Sequence, residues 1–214
     1  MINALLPLKL PTEILGLANP FQNTDQGIAT WFHERLTPAF AGVLQALTEV
    51  GSGEWIGIVV FALVVFFVWK RWWLSLTMLM VAVPGGMLLN EWLKMVVHRQ
   101  RPFVEGTFVD WSGYSFASGH TMGATLLYGQ LLLLVLPLLK GRHLRLLCIV
   151  SAASLVILVG FTRIALGAHF LSDVLAAIFF GIIWLMLCTV LGKSVRRRTV
   201  AAAVPAARGA DLQS

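Results

Sequence analysis

The chain has 214 residues, 58% of them hydrophobic and 12% charged, with a mean hydropathy of +0.82. Soluble domains carry roughly 45–50% apolar and about 25% charged residues, so a water-soluble fold is excluded and lipid must be part of the solvent. The net charge of +6 does not point to nucleic acid, because the basic residues sit at the ends of apolar runs rather than on one soluble face.

The length allows about five or six membrane helices in one integral domain. The N-terminal stretch, MINALLPLKLPTEILGLANP, is a poor signal peptide, since Lys9 lies within its apolar part and prolines interrupt it. It is expected to lie along the interface or to be disordered. Residues 28–50 are amphipathic, with Trp31, Phe32, Phe40, Leu44 and Leu47 alongside Glu34 and Arg35. They predict an interfacial or partly inserted helix, with a true span as the alternative.

Five apolar runs then follow: Trp55–Trp69, Trp72–Leu93, His120–Leu139, Leu144–Phe161 and Phe170–Leu191. The first is short for a span and is expected to extend back past Glu54. Pro84, Gly85 and Gly86 predict a kink or a close helix contact in the second. Cys148 and Cys188 fall inside apolar runs and read as small buried hydrophobes. The expected architecture is an all-α polytopic bundle: an N-terminal segment over 1–53, a transmembrane domain over 54–192 and a basic, disordered cytoplasmic tail over 193–214.

Alternating spans place Lys70, Arg71, Lys140, Arg142, Arg145, Lys193 and Arg196–Arg198 on one side. By the positive-inside rule that side is cytoplasmic. The other side receives Lys94, Arg99, Arg101 and Arg163 together with Glu105, Asp110 and Asp173, and is expected to be extracytoplasmic.

Three separated stretches bring ionisable groups to that second face: KMVVHRQRP from Lys94, ASGH from Ala117, and RIALGAHFLSD from Arg163. Taken singly, each has an ordinary explanation. Lysine and arginine anchor helices at the interface, a serine before a helix caps it, and His169–Asp173 at i, i+4 can be a structural pair. Jointly they describe phosphate chemistry. Cationic side chains clamp phosphoryl oxygens, arginine with a planar fork. The Ser118-Gly119 turn opens a helix whose unpaired N–H groups favour an anion, and glycine lets the backbone approach closely. His120 stands beside that cradle as a proton donor. Asp173 is placed to accept from one ring nitrogen of His169 and free the other to attack. The acidic residues form no obvious metal cage and no cofactor is expected.

These blocks resemble the type 2 phosphatidic acid phosphatase family, whose soluble relatives include acid phosphatases and vanadium haloperoxidases. The first block matches the family pattern in full. The second has Ala117 where proline is usual, and the third, TRIALGAHFLSD, has Thr162 where serine is usual. The resemblance covers about residues 54–191 and implies a metal-independent lipid phosphatase. In it His169 would be the nucleophile, Asp173 its orienting partner and His120 the general acid; Lys94, Arg101, Arg163, Ser118 and Gly119 would bind the phosphate. Arg99 and His98 fall outside the pattern. The economy of the chain suggests a bacterial inner membrane, with the site facing the periplasm; of undecaprenyl diphosphate, phosphatidylglycerol phosphate and phosphatidic acid as substrates, family physiology implies that the first fits such a site best. A lipid A phosphatase or lipid phosphotransferase would use the same residues, and a non-enzymatic anionic-lipid binding or transport protein would need only the cradle.

Overall fold

The computed structural model describes residues 21–103 and 113–211, with residues 195–211 described by backbone alone. Residues 1–20, on which the interfacial or disordered leader is expected, lie outside the described residues, as do Glu105, Asp110 and the last three positions of the tail.

Among the described residues all regular structure is helical. Residues 28–50 do not form one helix. They divide between α1 (Gln22–Arg35) and α2 (Pro38–Thr48), separated by extended backbone at Leu36 and Thr37. Pro38 explains the break, because its ring disfavours helical backbone in the residue before it. The same proline then serves at the start of α2, where the Thr37 hydroxyl accepts from the Phe40 amide at 3.4 Å. At eleven residues α2 is about 17 Å long, too short to span alone. A 3-10 turn over Glu49–Gly51 leads to Ser52, whose hydroxyl caps α3 (Gly53–Trp69) by accepting from the Trp55 amide at 3.1 Å. The helix α3 thus begins two residues before Trp55, at Gly53, and α2 and the 3-10 turn continue the apolar stretch back to Pro38.

The remaining helices are α4 (Trp73–Val97), α5 (Gly119–Val135), α6 (Arg142–Ala165) and α7 (Leu171–Asp211). Five stretches are long and apolar enough to cross a membrane: Pro38–Trp69, Trp73–Val97, Gly119–Leu138, Arg142–Ala165 and Leu171–Ser194. The backbone of α7 stays helical beyond Ser194 to Asp211, where an unstructured tail is expected from composition. Alanine and arginine are strong helix formers, and the span supplies the helix nucleus.

The central helix is α5, packed against α3, α4, α6 and α7. Its contacts hold Met122, Leu126 and Leu127 against Leu79 and Val83 of α4 and Ala177 of α7, all fully or almost fully buried. Around this core, large apolar side chains such as Phe61, Trp69, Leu88, Met186 and Val190 face outward, as a lipid-solvated surface requires. The Pro84-Gly85-Gly86 interruption is a close contact within a continuous α4. A β-carbon on Gly86 would lie 2.5 Å from Leu126 Cδ1 and 3.0 Å from Trp184 Cδ1. Trp184 Nε1 donates to the carbonyls of Val81 and Ala82 at 3.1 Å each, beside the point where Pro84 interrupts the helical ladder.

Both N-terminal helices lie at the end of the bundle where α6 finishes. Ala41 and Leu44 of α2 pack with Phe32, Leu36, Ala165 and Leu166, and α1 also touches α7. This location brings α1 into the site.

Candidate active site

Four helix ends meet at one end of the bundle: the carboxyl ends of α4 and α6 and the amino ends of α5 and α7. The turn from α6 to α7 is made by Gly167, whose φ of +70° favours a residue without a β-carbon. A β-carbon there would also stand 3.2 Å from the Phe103 ring. The turn is locked by amides of Ala168 and His169 donating to the Arg163 carbonyl at 3.1 and 3.2 Å. It therefore fixes His169 relative to Arg163, on the last turn of α6.

His169 is 3% exposed and Asp173 is fully buried. The expected direct hydrogen bond between them is absent: Nδ1 lies 3.9 Å from Asp173 Oδ2. Nδ1 instead lies 2.7 Å from the backbone carbonyl of Ser115. A carbonyl only accepts, so Nδ1 carries the proton and Nε2 keeps its lone pair. Asp173 acts one step removed. Its Oδ2 accepts from Ser115 Oγ at 2.5 Å and from the Phe170 amide at 3.0 Å. The tautomer-fixing role expected of Asp173 thus passes to Ser115, because the carboxylate is already engaged by better-placed donors. Burial pushes the His169 imidazole down to about 4, with the nearby Arg163 and Arg101 guanidinium groups adding to the effect and Asp173 opposing it. At neutral pH His169 is therefore an uncharged imidazole.

Ser118 opens α5 without capping it. Its Oγ pairs with Thr121 Oγ1 at 2.9 Å and accepts from none of the first-turn amides. The Ser118 amide donates to the Asp173 carbonyl at 3.3 Å, which ties the start of α5 to the start of α7. A buried helix start that lacks a side-chain cap is an anion site in waiting. A β-carbon on Gly119 would lie only 3.6 Å from Lys94 Nζ, and Lys94 is held there by Glu91 at 2.7 Å. His120 is within electrostatic reach of Arg163, His169, Lys94 and Arg101. Arg101 reaches over the turn, donating to the carbonyls of Gly113 at 3.1 Å and Ala168 at 2.8 Å. Every residue expected at the site comes to this one place. Thr162, in place of the family serine, donates to the Val159 carbonyl at 2.7 Å.

Reading the sequence left Arg99 unassigned and missed Asp25, Ser115 and Ser172. Arg99 bonds Asp173 Oδ1 at 2.6 Å, Ser172 Oγ at 2.7 Å and Asp25 Oδ2 at 2.8 Å, while its guanidinium lies over the Phe170 ring at 4.1 Å. Asp25, on the buried face of α1, also accepts from the Ser172 amide at 3.0 Å and from the Ser172 hydroxyl. The only signal for Arg99 is its place within the first block; Ser115 lies just before the second. His98 takes no part: its ring packs edge-on against Tyr114 with 4.4 Å between centroids. Among the described residues no group of three His, Cys, Asp or Glu side chains is placed to hold a metal ion.

Apolar spans around a buried imidazole, ringed by cations and an uncapped helix start, define an integral membrane enzyme acting on phosphate esters. The chain belongs to the PAP2 superfamily, whose sequence model matches residues 71–197. It is 30% identical to phosphatidylglycerophosphatase B of Bacillus subtilis over 184 residues, 84% of this chain and 88% of that protein. Its fold is similar to the crystal structure of a transmembrane PAP2-type phosphatidylglycerolphosphate phosphatase from Bacillus subtilis, with a TM-score of 0.74 and 24% identity over 85% of this chain and 90% of that one. The structure of Aquifex aeolicus LpxE is also similar, with a TM-score of 0.58 and 22% identity over 78% and 94% of the two chains.

Proposed function

We propose that the chain is a metal-independent lipid phosphatase that releases phosphate from a membrane lipid through a phosphohistidine on His169. The carrying observation is the Nδ1 contact of His169 with the Ser115 carbonyl, which leaves Nε2 as a neutral nucleophile in a cationic pocket. Lys94, Arg101 and Arg163 bind the phosphoryl oxygens together with the Ser118-Gly119 turn, whose free first-turn amides are those of Gly119 and His120. Nε2 attacks phosphorus, the bond from phosphorus to the lipid oxygen breaks, and His120 gives that oxygen a proton. His120 then takes a proton from water, which attacks the phosphohistidine and returns inorganic phosphate with a free imidazole.

The substrate we favour is phosphatidylglycerol phosphate, on the strength of the Bacillus relative's name. Undecaprenyl diphosphate and phosphatidic acid are the competitors, and the physiology of the family alone favours the first of these. Exposed Trp92, Met95 and Val96 at the end of α4 offer an apolar wall for the acyl chains beside the site. The cluster of basic residues at the opposite ends of the spans supports a site facing the periplasm across a bacterial inner membrane.

The test is phosphate release from a panel of these lipids in detergent with EDTA present. Turnover of phosphatidylglycerol phosphate that persists in EDTA is expected. Collapse on chelation would overturn the metal-free route, and transfer of the phosphoryl group to a lipid acceptor would make the protein a phosphotransferase.

The charge state of the nucleophile gives a second prediction. With its protonation held down to about 4, His169 should stay neutral throughout the range where an ordinary imidazole gains a proton. Ring nitrogen shifts of labelled histidine, assigned with His169→Gln, should show no titration between pH 5 and 8. The sign for stability follows. Below about 6.5 the unfolded chain protonates this residue and the native one does not, so its contribution turns against the fold as pH falls toward 4.

A further inference from the structure

The buried stripe of α4 runs Leu79, Ala82, Val83, Gly86 and then Asn90, one turn before Lys94. The first four are apolar or small and pack within the bundle. Asn90 is fully buried as well, yet neither its amide nitrogen nor its amide oxygen has a hydrogen-bond partner among the described residues. Native interiors rarely leave such a group unmet, and one that persists marks a ligand or a chemical role.

Its position says which. A β-carbon on Gly119 would stand 3.5 Å from Asn90 Nδ2 and 3.6 Å from Lys94 Nζ. The amide of Asn90, the ammonium of Lys94 and the uncapped first turn of α5 therefore border the same space, and a side chain at position 119 would intrude on it. We infer that Asn90 is a phosphate-binding residue: its Nδ2 donates to a terminal oxygen of the bound phosphoryl group, from the floor of the cradle. This rests on the phosphatase reading above. Phosphoryl oxygens only accept, so the cradle must be lined by donors, and a carboxamide adds one without adding charge. The neighbouring Lys94 ammonium also only donates, so it offers Nδ2 no acceptor and leaves that N–H for the anion. A carboxylate at this position would repel the same oxygens.

Orthovanadate, a phosphoryl mimic, reads binding independently of turnover. It would be titrated against the full chain in detergent by thermal shift and by inhibition of lipid phosphate hydrolysis. Asn90→Leu should weaken vanadate about tenfold or more, with unliganded thermal stability unchanged or raised, since an unmet amide is removed. Asn90→Ala should weaken vanadate similarly and serves where the leucine variant does not fold. Vanadate affinity within threefold of the parent in a folded variant, whatever happens to its stability, would overturn the role of Asn90 while leaving the phosphatase intact. A parent chain that neither hydrolyses lipid phosphates nor binds vanadate would overturn the phosphatase reading and this inference with it.

Discussion

His169→Ala should lower turnover of the lipid phosphate by at least about 10⁴-fold while leaving binding of the substrate nearly unchanged. The asymmetry follows from where the groups sit. The proposed anion cradle is built by Lys94, Arg101, Arg163 and the first turn of α5, each held by elements that do not depend on the imidazole: Lys94 by Glu91 at 2.7 Å, Arg101 by the Gly113 and Ala168 carbonyls. Removing the ring takes away the attacking nitrogen and leaves the clamp. His120→Ala should fall less far for a substrate with a good leaving group, such as an aryl phosphate, because that oxygen departs without a proton. Rapid quench with labelled lipid phosphate should trap an acid-labile, base-stable adduct on the parent and none on His169→Ala. Retention of more than about a hundredth of parental turnover by His169→Ala would place the nucleophile elsewhere.

What the sequence revealed of this site was what spacing and chemistry carry locally. Lys94 and Arg101 share one block, His169 and Asp173 lie four apart, and Ser118-Gly119 precedes an apolar run, so each block could be read without knowing its neighbours. The spans were legible for the same reason, since lipid-facing helices declare themselves by composition. Contacts that depend on tertiary placement were not legible. Nothing near Asp25 marks it as more than a polar residue on a short helix, and only the packing of α1 against the end of α6 delivers it to Ser172 and Arg99. The partner of His169 Nδ1 is a backbone carbonyl, which any residue at position 115 would supply, so no residue type announces it. Asn90 is a single polar position in an apolar stripe, and the space it faces exists only once α5 is in place.

Arg99→Met should be the most destabilising single change at the site, by about 3 kcal/mol or more, and should lower turnover about a hundredfold in the fraction that folds. Arg99 bridges two carboxylates that have almost no access to water: the Asp25 and Asp173 side chains are 1% and 0% exposed. Removing the cation leaves both charges buried without it, and the cost of that exceeds the net worth of the bridge itself. The Arg99 side chain is itself 20% exposed, which sets the figure at the lower end of the range for buried pairs. Turnover falls because Asp173 holds Ser115, and Ser115 holds the His169 ring; Arg99 is thus a positioning residue three contacts from the proposed nucleophile. Two checks separate this from a loss of packing alone. Asp25→Asn in the Arg99→Met background should recover part of the stability, because one of the two orphaned charges is gone. Arg99→Lys should recover only a part, since a single ammonium cannot span Asp173, Ser172 and Asp25 with the geometry of a planar fork. A deficit that ignores Asp25→Asn would reduce Arg99 to the packing of its side chain against Phe170.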